Sequence, residues 1–89
     1  MKHTNNAKGY DGTLKELAES IGNMRYDSVA EFIQYLAEDL EHQAESDYAQ
    51  RMPQLASRIE ETAKELNEAK ENMDKIWKLC APYMIQKKN

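Results

Sequence analysis

The sequence predicts an all-α protein: a short N-terminal helix followed by a long antiparallel helical hairpin. Three observations lead there. Helix-favouring Ala, Glu, Lys, Leu, Gln and Met are plentiful, and there are only three glycines and two prolines in 89 residues. Thr13-Leu-Lys-Glu16 and Ser28-Val-Ala-Glu31 are capping-box patterns, each standing just before an apolar periodicity. Apolar side chains then recur at helical spacing through three successive segments.

Residues 1–12 are polar, with Gly9 and Gly12 bracketing Tyr10-Asp11, and are expected to form a flexible arm. The first helix is expected over about residues 14–21, where Leu14, Leu17, Ala18 and Ile21 share a face. Gly22 suits the left-handed position that closes a helix. Two turns are too few for independent stability, so this helix must dock on something.

The second helix is expected over 28–50, with Ser28 as its cap and Asp27 as a competing one. Val29, Phe32, Ile33, Leu36, Ala37, Leu40 and Ala44 fall on one side of the wheel, and Glu38, His42 and Glu45 on the other. Asp47 lies in line with the apolar face and Arg51 four residues on. An ion pair closing the hairpin end accounts for both, and a polar device fixing register at an interface is the alternative. Gln50-Arg51-Met52 is the expected turn. It has no glycine, so a kinked continuous helix, favouring a domain-swapped dimer, is the rival.

The third helix is expected to start at Pro53, whose missing N–H costs nothing in the first turn. It should run to about Cys80, with Pro82 as the stop. Leu55, Ile59, Thr62, Leu66, Ala69, Met73, Ile76 and Cys80 are separated alternately by four and three residues, an unbroken heptad seam. Outward positions offer Glu60/Lys64, Glu71/Lys75 and Asp74/Lys78 as i,i+4 pairs. Residues 13–84 are read as one domain and 85–89 as a frayed tail. Helix three is about 40 Å long at about 1.5 Å per residue, too long for the short first helix to cover. The seam is therefore expected to serve a homodimer, most simply a four-helix bundle of two hairpins.

Charge and cysteine usage narrow the function. Formal charge is −4, and residues 27–52 hold seven acidic side chains against one basic. No segment has the basic excess that phosphate backbones demand, so nucleic acid is not an expected partner. No run is long and apolar enough to cross a membrane, and the N-terminal residues lack the apolar stretch of a signal peptide. With Cys80 the single cysteine, the expected location is cytoplasmic.

Four groups of residues invite a chemical reading. Asp39-x-x-His42 and His42-x-x-Glu45 resemble the Glu-x-x-His element of carboxylate-bridged di-iron bundles. His42 lies opposite the apolar face, however, and a solvated surface histidine is the plainer reading; no metal is assigned. The stretch Leu14-Lys-Glu-Leu17-Ala18-Glu-Ser-Ile21-Gly22-Asn23 resembles the first helix and turn of a helix-turn-helix. The segment that would read DNA carries Glu31, Glu38, Asp39 and Glu41 and no basic residue. Cys80 sits in the seam with lysines nearby but no histidine, which suits a buried apolar role better than a nucleophile. Trp77, Leu79, Tyr83 and Met84 cluster near the C-terminus, either as core beneath a folded-back first helix or as a docking surface for another protein.

No catalytic set, cofactor loop or CxxC motif is present in the sequence. The expected function is a non-enzymatic helical assembly or adaptor protein acting through helix–helix contacts. A small DNA-binding regulator using residues 14–40 is the first alternative, and a metal-binding bundle the second.

Overall fold

The computed structural model describes residues 3–86, with side chains through Tyr83. The described residues form three helices and no strand: α1 (Leu14–Gly22), α2 (Tyr26–Ala49) and α3 (Pro53–Gln86). Helices α2 and α3 pack along their lengths as a hairpin, while α1 packs extensively against neither.

The capping box at Thr13 forms as expected. The Glu16 N–H donates to Thr13 Oγ1 at 3.1 Å, and the Thr13 N–H donates to Glu16 Oε1 at 2.9 Å. A Cβ at Gly12 would stand 2.7 Å from the Glu16 carboxylate and 2.8 Å from the Tyr10 ring, so either side chain would have to shift. Gly22 does not take the left-handed conformation. It remains helical, and Asn23 closes α1 in a right-handed geometry, its N–H donating to the Glu19 carbonyl while the Met24 N–H donates to that of Ile21.

Ser28 does not cap α2. The helix begins at Tyr26, with Arg25 as its N-cap and no side-chain cap bond. Asp27 lies in the first turn instead, where a negative charge meets the positive end of the helix dipole. It accepts from the Ser28 N–H at 2.9 Å and takes a two-point bond from Arg25, at 3.0 and 2.6 Å.

The reversal is a turn and not a kink. The Met52 N–H donates to the Asp47 carbonyl and the Arg51 N–H to the Tyr48 carbonyl, the paired bonds of a Schellman motif. Arg51 occupies its left-handed position at φ 63°, where glycine is usual and a side chain costs about 1–2 kcal/mol. The backbone bonds and the packing beyond them outweigh that cost, which is why the turn forms without glycine.

Pro53 opens α3 as expected, but Pro82 does not end it; the helix continues to Gln86. The proline removes one donor and leaves the Lys78 carbonyl unserved. Lys78 is exposed, so water can take that bond.

The hairpin interior is built on small residues. Its fully buried apolar residues are all alanines: Ala30, Ala37 and Ala44 on α2, at seven-residue intervals, and Ala56 and Ala63 on α3. Methyl groups at facing positions let two backbones approach toward the short end of the usual 8–10 Å or so. They also contribute little energy. Five buried methyls are worth only about 4 kcal/mol at about 0.8 kcal/mol per carbon. Half-buried Ile33, Leu40, Ile59, Leu66 and Met73 line the same interface. The larger side chains therefore flank the interface and do not fill it.

Shape reflects this. The radius of gyration is 16.1 Å, against about 12 Å for a compact chain of this length.

Candidate interaction surface

Two cross-helix hydrogen bonds fix which sides of α2 and α3 lie together. Tyr48 Oη donates to Glu60 Oε1 at 3.2 Å, and Asn67 Nδ2 to Glu41 Oε2 at 3.5 Å. Residue n of α2 thus lies level with about residue 108 − n of α3. Stepping by heptads from these pairs, Asp27, Gln34, Glu41 and Tyr48 share one face of the hairpin with Glu60, Asn67 and Asp74. This face is polar and hydrogen-bonded. The Tyr48 phenol is pushed above its ordinary range, chiefly by desolvation and then by the neighbouring Glu60 charge.

The opposite face is apolar. It carries Val29, Phe32 and Leu36 from α2 and Leu55, Thr62, Ala69 and Ile76 from α3. Phe32 and Leu36 are each 40% exposed and Leu55 45%. Phe32 and Leu36 share the apolar side of the wheel with Ala37 and Ala44, but it is the alanines that are buried against α3. The expected α3 seam is thus split lengthwise. Ile59, Leu66, Met73 and Cys80 border the hairpin interior and are half-buried, as is Ala69, while Leu55, Thr62 and Ile76 lie open to solvent.

The C-terminal cluster is not covered by α1. Leu79 is 76% exposed and Tyr83 68%; the Met84 side chain lies outside the described residues. Trp77 is half-buried beneath Arg25, whose guanidinium stands 5.1 Å from the ring centre. The same guanidinium holds the Asp27 carboxyl below its ordinary value, mainly by hydrogen bonding. Arg25, which sequence periodicity did not single out, thus ties the α1–α2 link to the far end of α3. Its signal in the sequence is only an arginine one residue before a helix with Asp27 two positions on.

Helix α1 has no buried residue, and Leu14 is largely exposed. Its stripe of Leu14, Leu17, Ala18 and Ile21 remains mostly uncovered.

Asp47 departs from expectation. Its side chain is fully buried, and neither carboxylate oxygen has a hydrogen-bond partner. The ion pair with Arg51 does not form, because the left-handed turn leaves Arg51 exposed. On α3, Lys70 occupies an interior heptad position and reaches out to Asp74 at 2.7 Å. That bond, and Arg58–Glu61 at 3.5 Å, form in place of the expected i,i+4 pairs.

The remaining candidates lie apart from these faces. His42 and Glu45 pair at 3.7 Å on a highly exposed part of α2, and no cluster of three or more potential metal ligands occurs among the described residues. No described helix is long and apolar enough to cross a membrane.

Comparison with known proteins gives no match to a family model, a curated protein or a solved structure.

Proposed function

We propose that this protein is a non-enzymatic helical assembly protein whose apolar hairpin face pairs with the same face of a second copy, giving a four-helix bundle with coiled-coil-like packing. The exposed surface carries this reading. The chain exposes 7409 Å². A compact monomer of 10.3 kDa would expose about 5,400 Å². The excess of about 2,000 Å² is shared by the N-terminal arm, α1 and the hairpin, and is large enough to include the roughly 800 Å² that each partner buries in a standard interface. Solvent reaches Phe32, Leu36 and Ile76 in the open half of one face and Leu55 at its turn end, while the other face has two hydrogen bonds across the hairpin.

Composition of the faces supports the choice of surface. The chain is net negative, so two copies repel at long range. The apolar face carries few charges near its centre line, and burial there desolvates few carboxylates.

The test is absolute mass by light scattering after size exclusion, over a dilution series. The expected result is twice 10.3 kDa for the native chain and monomer for Leu36→Asp or Ile76→Asp with helicity retained. A native chain that stays monomeric at every concentration would overturn the reading.

A further inference from the structure

We infer that the second copy lies antiparallel on the first, the turn end of each hairpin set against the open end of the other; this rests on the self-association reading above. Charge along the hairpin supports the direction. The turn half, residues 39–69, carries eight acidic and three basic side chains, a net −5. The open half, residues 25–38 and 70–83, carries five acidic and four basic, a net −1. A parallel copy would stack the two strongly acidic halves on each other. An antiparallel copy sets each acidic half against a nearly neutral one, and like charges brought close across an interface cost several kcal/mol when misplaced.

The placement of α1 agrees with the same direction. Its apolar stripe is only partly covered, with Leu14 and Ala18 exposed and Leu17 and Ile21 half-buried, and Arg25 pins its root to Trp77 at the open end. At the other end, Met52 and Leu55 are half-exposed around the turn. With the two hairpins overlapped along their full length, α1 of one copy comes level with the turn of the other. A parallel copy would bring the two α1 helices beside each other and leave both turns open.

The experiment is pulsed electron–electron distance measurement between spin labels in the full chain. Cys80→Ala removes the native thiol, and a label is placed at Ser57→Cys or, separately, Glu68→Cys, both exposed positions. Ser57 lies near the turn and Glu68 near the middle of the hairpin. Antiparallel copies place the two Ser57 labels about 25 residues apart along the axis, about 38 Å at about 1.5 Å per residue. They leave the Glu68 labels nearly level, separated mainly by the width of the bundle. The expected result is therefore a long distance at 57 and a distinctly shorter one at 68. Similar short distances at both sites would overturn the antiparallel arrangement and leave the dimer standing. No intermolecular coupling at either site, with a monomeric mass, would overturn the dimer itself and this inference with it.

Discussion

Replacing Asp47 with alanine should stabilise the protein by about 2 kcal/mol. The native side chain is fully buried with both oxygens unpartnered. Leaving a buried polar group unsatisfied costs about 1–3 kcal/mol, and more if it is charged. Alanine is also the better helix former, by about 0.6 kcal/mol. Against these gains, removing the carboxyl leaves a void of roughly one water, about 30 Å³. At about 24 cal/mol per Å³ that void costs about 0.7 kcal/mol. The net is a gain of about 2 kcal/mol, or about 8–16 °C in Tm for a domain of this size. Thermal and urea unfolding followed by far-ultraviolet circular dichroism would measure it. Protein concentration must be held fixed, because the proposed self-association would add a concentration-dependent term. Asp47→Asn, which keeps the shape and a buried polar group, should gain less, since the amide still lacks partners. A loss of 1 kcal/mol or more in Asp47→Ala would refute the reasoning and mean that the carboxylate is satisfied in solution by a group from water or a second chain.

Three further outcomes follow from the geometry. Arg51→Gly should raise stability by about 0.5–1 kcal/mol, since glycine takes φ 63° without the side-chain penalty but gives up more unfolded-state freedom; equilibrium urea unfolding at constant slope would show it. Ala37→Leu should lower stability by about 1–3 kcal/mol by forcing the helices apart at a fully buried position, whereas Val29→Ala on the half-exposed flank should cost distinctly less in the same assay. Acidification should release the Arg25–Asp27 clamp late. Because the Asp27 pKa is depressed in the folded chain, its contribution is present above the ordinary carboxylate value of about 3.9 and is lost as pH falls through the lower folded value. Emission from Trp77, the only tryptophan, should therefore hold steady to about pH 4 and change below it; a transition centred near pH 5 and absent from Asp27→Asn would contradict this.

Much of the architecture was legible in the residues. Helix existence and order follow from composition, period and caps, all of which act within a few residues of chain. Thr13 and Glu16 satisfy each other's backbone in α1, and Pro53 opens α3, because both signals are local. Single-residue stops were less reliable. Gly22 stayed helical, and α3 passed through Pro82, since one lost bond near a helix end is a small term beside packing and solvation.

The contact edge within the apolar side was not legible for a different reason. Periodicity shows that Val29, Phe32, Leu36, Ala37 and Ala44 share one side of a helix, but not which edge of that side meets the neighbour. Two stripes were available on each long helix, offset by about 100°, one residue's rotation: one of alanines and one of larger side chains. Local sequence favours neither. Tertiary packing decided it, because bringing two backbones close rewards methyl groups at the contact, and the cross-helix bonds Tyr48–Glu60 and Asn67–Glu41 then fix the rotation of each helix. That rotation turns Leu36, Leu55 and Ile76 outward and buries Asp47. The sequence alone determined that the chain would be helical, hinged at residues 50–52 and amphipathic. Only the packed hairpin decided which apolar stripe was consumed inside it and which was left for a second surface, because that choice rests on the distance between two segments remote from each other along the chain.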